Sequence, residues 1–113
     1  MKTFDFNAIQ QPVFPVTLRD DDKTVVHVTY PTVELLDRFM GMVPELQEVS
    51  KTKDGHTIRA TFGLVAEILS SNEDGFTFTA EELRDRYNMT LFGVFQFVAA
   101  YMAFIREAQD AKN

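Results

Sequence analysis

The residue types that could do chemistry in this chain are concentrated in one stretch, SSNEDGFTFTAE, from Ser70 to Glu81. Against the calcium-loop pattern D-x-[DN]-x-[DN]-G-x5-E, this stretch places Asn72, Asp74 and Glu81 at the third, fifth and twelfth positions. The first position, normally an Asp, is the neutral Ser70, so only two formal charges would face the ion. The pattern therefore predicts a poor calcium site, and we expect no bound metal.

The same letters are also typical of a turn between two helices. Asn72, Asp74 and Gly75 favour turns, because Asn and Asp side chains bond to nearby backbone and Gly tolerates positive φ. Thr79 and Glu82 have the spacing of a capping box, in which each side chain accepts a hydrogen bond from a backbone N–H at a helix start. This interpretation predicts that one helix ends near residue 71 and another begins near residue 80.

Other catalytic patterns are missing from the sequence. There is no cysteine, no phosphate-binding glycine loop, no HExxH and no nucleophile elbow. The histidines His27 and His56 fall on separate predicted elements, and Glu81 and Glu82 point to different faces because adjacent helical residues do so. The acidic run of residues 20–22 is typical of a solvated hairpin tip. We therefore expect no enzymatic activity, no catalytic residues and no cofactor.

Composition narrows the class of protein further. The 113 residues, 45% hydrophobic and 25% charged, predict one globular domain over residues 1–113. A net charge of −6 disfavours nucleic acid, since phosphate binding needs clustered Lys and Arg. The most apolar run, Leu91–Ile105, is shorter than the roughly 20 residues of a membrane span, and no signal peptide is evident. The lack of cysteine suits a reducing cytosol.

The periodicity of the chain predicts an α+β fold, an N-terminal β-hairpin followed by a four-helix, mostly α-helical part. Residues 1–12 form an N-terminal arm, residues 13–30 form the hairpin from VFPVTL and TVVHVTY, and residues 32–110 form the helical part. Pro15 restricts the first strand to a sheet edge. Pro44 is expected to end or kink the first helix, and SKTKDG, residues 50–55, to form a loop. Thr90 is expected to cap the last helix, which runs to about Gln109.

The last helix is apolar over about two thirds of its circumference, more than one core contact requires. Its apolar residues form two stripes. The first consists of Leu91, Val94, Phe95, Val98, Met102 and Ile105; the second consists of Phe97, Tyr101 and Phe104. Either this helix is the centre of the bundle, or the second stripe meets a partner. With the first stripe facing the core, Phe97, Tyr101 and Phe104 become the candidate residues for partner binding or self-association.

The order of these features resembles a known family. The segments VHVTYPTVELLDRF, AEILSSNEDGFTFTAEEL and FGVFQFVAAYMAFIREAQ, in a similarity spanning residues 13–108, resemble the tail assembly chaperones of long-tailed (siphovirus-type) bacteriophages and prophages. The most recognisable part is the helix junction with Asn72, Gly75, Thr79, Glu81, Glu82 and Leu83. The resemblance implies a protein of the host bacterial cytoplasm that coats the tape measure protein and helps to recruit tail tube subunits. A degenerate helix-loop-helix regulatory module of the EF-hand type is the alternative hypothesis.

Overall fold

The predicted α+β architecture is confirmed by a computed structural model that describes residues 2–52 and 55–110, with the side chains of residues 47–52 outside the description. The arm contains one 3-10 turn, Phe6–Ala8. The hairpin consists of β1, Val13–Thr17, and β2, Val25–Thr29. The helices are α1, Val33–Thr52, α2, Gly55–Ser70, α3, Ala80–Asp85, and α4, Leu91–Asp110.

The hairpin is antiparallel, and its register explains how a proline fits into the middle of β1. Pro15 lies opposite His27. The N–H of His27 donates to Asp74 Oδ2 at 2.7 Å and its carbonyl accepts from the N–H of Glu73 at 3.0 Å, so both groups point away from β1. In an antiparallel pair the facing residue points its own backbone groups the other way. The position of Pro15 therefore needs no N–H for the hairpin, as an edge proline requires.

The acidic tip of the hairpin is a closed turn. The carboxylate of Asp20 accepts hydrogen bonds from the side chain of Thr24 at 2.6 Å and from its backbone N–H at 2.9 Å. These two bonds, the side-chain one first, hold the pKa of Asp20 below its usual value. Lys23 takes a positive φ of 50° to complete the turn.

A third extended segment follows α2 and pairs with the outer edge of β2. Asn72 bridges Val28 in antiparallel orientation, flanked by hydrogen bonds from Thr29 N to Ser71 O at 2.9 Å and from Glu73 N to His27 O at 3.0 Å. The turn that the sequence predicted after α2 therefore also extends the sheet, and it ties the end of α2 to the hairpin.

The first helix is longer than expected. Pro44 lies inside α1, which continues to Thr52, so the prediction that SKTKDG is a loop is wrong for its helical residues 50–52 and for Gly55, which begins α2. Residues 53 and 54 lie outside the described part of the chain. Pro44 and Met40, whose carbonyl the proline leaves without a donor, are both exposed. Water can hydrate that carbonyl, which lowers the cost of a proline within a helix.

Helix α2 lies at the centre of the fold. It packs against α1, α3, α4 and β2. Its buried residues are Thr61, Phe62, Leu64, Val65, Ala66, Ile68 and Leu69, whereas those of α4 are Val94, Tyr101 and Ile105. The alternative that placed α4 at the centre is wrong, and α4 has a face left uncovered.

The two stripes of α4 are used only partly as predicted, because Val94 and Ile105 of the first stripe are buried in the core but so is Tyr101 of the second. Tyr101 is 0% exposed and meets Phe39 of α1 edge to face, with 5.1 Å between ring centroids. Phe14 of β1 stacks on Phe104 at 5.1 Å and on Phe97 at 6.1 Å. The expectation that these three residues of α4 form an uncovered stripe is therefore wrong, because the hairpin covers them. Helical periodicity located two stripes but could not say which of them Phe14 would cover.

The different burial of Tyr101 and Phe92 predicts a contrast between these two aromatic residues of α4. Tyr101→Ala removes a fully buried ring and should lower the free energy of unfolding by about 3–5 kcal/mol. Phe92→Ala truncates a ring that is 74% exposed and should change it by less than about 0.5 kcal/mol. Urea unfolding followed by circular dichroism measures both. Equal losses in the two variants would contradict the placement of α4.

A second prediction concerns the Tyr101 hydroxyl, which is buried without a hydrogen-bond partner among the described residues. Burial, and to a smaller degree Tyr30, raises the pKa of Tyr101 above its usual value. The unfolded chain then ionises this phenol near pH 10 while the folded chain does not, so stability falls as the pH rises above about 10. Tyr101→Phe should move alkaline unfolding to higher pH without loss of stability at pH 7. An unchanged alkaline midpoint would refute this.

Candidate partner-binding groove

An open apolar groove lies between α1 and α4. It has a volume of about 280 Å³ and is lined by Val43 and Leu46 of α1 and by Phe95, Val98, Ala99, Met102 and Arg106 of α4. Both helices pack on α2, which holds them in place without filling the space between them. The small side chain of Ala99 keeps the groove open where a larger residue would close it.

The walls of the groove are almost uncharged. Among the described residues that line it, Arg106 carries the only charge, and within the described chain this guanidinium makes no hydrogen bond or ion pair. Phe95, Val98 and Met102 are half-buried, and Val98 and Met102 also pack against the core, so the three residues present part of their apolar surface to the groove. The arrangement can receive an apolar side chain and favours a nearby negative charge. It holds no group suited to bond making or breaking.

The wall on the α1 side is fixed to α2 by charged groups outside the groove. Arg38 Nη1 donates to Glu67 Oε1 of α2 at 2.7 Å, and its other nitrogen, Nη2, pairs with Glu67 Oε2. Arg38 also lies 3.8 Å from Glu34 on its own helix. A paired guanidinium and carboxylate add orientation more than stability at an exposed site. They link α1, the helix that carries Val43 and Leu46, to α2.

The solvent face of α4 is unusually apolar. No charged residue occurs from Leu91 to Ile105, and Phe92, Ala99, Ala100 and Ala103 are exposed. By length and composition alone, α4 could cross a membrane, because it has 20 residues and its most apolar 18-residue stretch has a mean hydropathy of 1.3. Only 22% of that stretch is buried in the structure. The core helix of a soluble protein passes the same test. What this face indicates directly is apolar surface available for contact.

Ser70 and Asn72, at the first and third positions of the calcium-loop pattern, make hydrogen bonds to nearby protein groups in the structure. Ser70 Oγ donates to Ala66 O at 2.7 Å and accepts from Phe78 N at 2.9 Å. Asn72 Oδ1 accepts from the N–H groups of Asp74 and Phe76, and its Nδ2 donates to Phe76 O at 2.9 Å. These bonds form a self-contained turn, completed by Gly75 at φ 80°.

The two carboxylates of the pattern point to different places. Asp74 accepts from the backbone N–H of His27 at 2.7 Å, which lowers its pKa, and lies 3.1 Å from the ring nitrogen Nδ1 of His27. Glu81 is exposed at the start of α3. The capping box is confirmed, with Thr79 Oγ1 accepting from Glu82 N and Glu82 Oε1 accepting from Thr79 N. Within residues 2–52 and 55–110, no group of three His, Cys, Asp or Glu side chains could hold a metal ion.

A smaller apolar cavity of about 180 Å³ lies on the other side of α4, between β1, α2 and the start of α4. Its lining consists of Val16, Thr17, Arg19, Val65, Leu69, Met89, Thr90, Gly93 and Phe97. The guanidinium of Arg19 at its edge donates to the carbonyl of Asn88 at 2.9 Å, which ties β1 to the link between α3 and α4. The cavity therefore belongs to the packing between hairpin and helices.

Of the sequence candidates, Phe97 is half-buried and lines this smaller cavity, Phe104 stacks on Phe14, and Tyr101 is in the core. Their burial removes the reason for which they were chosen, although no observation tests partner binding itself. Sequence reasoning missed Val43, Leu46, Ala99 and Arg106. The available signal was the pair of apolar residues Val43 and Leu46 around Pro44, together with the small Ala99 near large apolar residues of α4.

Comparisons of the chain with family models, with curated proteins and with solved structures found no match.

The turn at residues 70–81 predicts the response to calcium. Because Ser70 and Asn72 are already hydrogen-bonded within the turn, millimolar calcium should leave the melting temperature unchanged, as a weak site adds only RT ln(1 + [L]/Kd). Differential scanning calorimetry with calcium or with a chelator measures this. A rise of several degrees that Glu81→Gln abolishes would instead establish a calcium site.

Proposed function

We propose that this chain is a tail assembly chaperone of a long-tailed bacteriophage or prophage, which binds an amphipathic helix of the tape measure protein in the groove between α1 and α4. The observation that supports this most is the uncovered apolar groove itself, on a domain whose described residues form no group of three His, Cys, Asp or Glu side chains that could hold a metal ion. The resemblance of residues 13–108 supplies the identity of the partner. No catalytic role is proposed.

The shape and chemistry of the groove suit helix-in-groove recognition. Such grooves receive apolar side chains spaced i, i+3, i+4 and i+7 from one face of a partner helix. Full burial of each large apolar side chain contributes about 1.5–3 kcal/mol, while association costs about 4–15 kcal/mol. Two or three anchors together contribute about 3–9 kcal/mol, which is close to the association cost, so a complex that depends on them is weak and reversible. A helper that must leave before the tail is finished needs that property.

Charge supports the same function. The net charge of −6 gives the complex an acidic surface, which keeps an apolar partner in solution by repulsion between copies. Arg106 is placed to meet an acidic residue beside the anchors and so to set the direction of the bound helix. Recruitment of tail tube subunits requires a second surface, for which the exposed face of α4 around Phe92 is available. In this proposal the protein acts in the host bacterial cytoplasm.

Blocking the groove tests the proposal. Ala99→Arg places a long charged side chain inside the groove without removing any core contact, because Ala99 is exposed. Ala103→Arg adds the same side chain one turn further along α4, where the residue is exposed and outside the groove lining. Co-expressed tape measure protein should remain soluble with the wild type and with Ala103→Arg. With Ala99→Arg the affinity for the tape measure protein should fall at least about tenfold, a loss of roughly 1.4 kcal/mol of binding, and its soluble fraction should fall below that with Ala103→Arg.

Two results would contradict the proposal in different ways. If the wild-type chain leaves the tape measure protein insoluble, the proposed function is wrong. If Ala99→Arg solubilises the partner as well as Ala103→Arg does, the function survives and the groove is not the binding site. Melting temperatures of both variants, which should match the wild type within a few degrees, exclude misfolding as the cause.

A further inference from the structure

The N-terminal arm carries a preformed aromatic motif that its own domain does not use. Every residue from 2 to 12 is exposed, including Phe4 at 68%, Phe6 at 79% and Ile9 at 45%. The rings of Phe4 and Phe6 contact each other edge to face, with centroids 4.8 Å apart. A single exposed apolar residue is ordinary, but three within six residues form an exposed apolar surface of the kind that docks onto another surface.

The arm is also locally ordered by hydrogen bonds. Asp5 caps the 3-10 turn, accepting from the backbone N–H of Asn7 at 2.9 Å and from its side-chain amide at 3.1 Å. Phe6 begins this turn, and Asp5 stands between Phe4 and Phe6 in the sequence. A motif that is already folded loses less conformational entropy when it binds than a disordered tail would.

The groove between α1 and α4 matches this motif in size and in charge. An apolar cavity of ~150 Å³ takes up one benzene molecule, so the groove, at about 280 Å³, has room for two phenyl rings. Its one charged lining residue, Arg106, has no ion-pair partner within the described chain, and the arm carries the carboxylate of Asp5 next to Phe4 and Phe6 in the sequence. Two rings and one acid in the arm therefore match an apolar groove with one base.

The geometry of α4 places the arm and the groove of one molecule on opposite sides of that helix. Phe14, two residues after the arm, packs on Phe97 and Phe104. The groove is lined by Phe95 and Met102, which lie roughly 160° around the helix from Phe97 and Phe104 at 3.6 residues per turn. An arm returning to its own groove would have to wrap around α4, whereas a second molecule can present its arm directly.

We propose that Phe4 and Phe6 of one copy dock into the α1–α4 groove of a second copy, with Asp5 facing Arg106, and that this contact covers the groove until a partner helix displaces it. As a form of regulation, the inference rests on the proposed function, because it controls access to the same groove. The contact is heterologous, since an arm meets a groove. Reciprocal exchange therefore closes a dimer, and one-way exchange builds longer assemblies.

A peptide experiment tests the docking without any tape measure protein. The receptor is the full chain carrying Phe4→Ser and Phe6→Ser, so that the arm of another copy does not occupy its groove. The probe is a fluorescent peptide of residues 2–12. Fluorescence anisotropy should show saturable binding in the range of about 10–100 µM, which is modest because only two rings are buried. Adding Ala99→Arg to the receptor should weaken binding at least about tenfold, and adding Ala103→Arg should leave it unchanged.

Sedimentation velocity then tests whether the occupant is a second copy. The average mass of the wild-type chain should rise with concentration, and that of the Phe4→Ser, Phe6→Ser variant should stay at the monomer value. These substitutions lie in the exposed arm, outside the core. Failure of the peptide to bind, or equal binding to the Ala99→Arg receptor, overturns the inference. If the wild-type chain stays monomeric at all concentrations, the inference that a second copy occupies the groove is wrong.

Because the peptide and sedimentation readouts omit the tape measure protein, their failure leaves the co-expression result standing, and the reverse also holds. Where both succeed, the unlabelled tape measure helix should release the bound peptide in proportion to its own affinity. Co-binding of both ligands to one groove would contradict the regulatory part of the inference.

Discussion

The packing of α2 against its neighbours is the constraint on which the rest of the structure depends. Val65, Ile68 and Leu69 have no exposed surface, and α1, α3, α4 and β2 all contact this helix. The segment that leaves α2 pairs at once with β2 through Ser71 and Glu73, so the hairpin is fixed relative to the same helix. Since α1 and α4 each need α2 but share little contact with one another, a groove between them follows from the architecture.

Local interactions explain what the sequence could predict. The capping box of Thr79 and Glu82 and the cap of α4 by Thr90 depend on residues three positions apart, so their spacing alone identifies them. The hairpin and the longer helices follow from hydrophobic periodicity. Where tertiary contacts decide, prediction failed: the coverage of Phe104 depends on Phe14 of the hairpin, and that of Tyr101 depends on Phe39 of α1. The continuation of α1 past Pro44 depends on which side of the helix faces water.

The candidate site could be predicted only in part for the same reason. The excess of apolar surface on α4 is visible in its sequence, and part of that surface is exposed in the structure. Which side stays open depends on how the hairpin and α1 approach, and that information is spread over Phe14, Phe39 and Val43. No pattern within α4 contains it. A prediction of the groove needed the fold first.

The edges of the small sheet limit how this protein can recognise other chains. One outer edge is β1, where the missing N–H of Pro15 interrupts the row of donors; the outer edge of β2 is already occupied by residues 71–73. Extended peptides bind by adding a strand to a free edge, and unguarded edges also nucleate amyloid-like stacking. In the proposed role beside aggregation-prone chains, this arrangement protects the protein from joining their aggregates through its own sheet. Recognition is left to side chains and helical surfaces, from which a bound chain can dissociate without breaking a ladder of backbone hydrogen bonds.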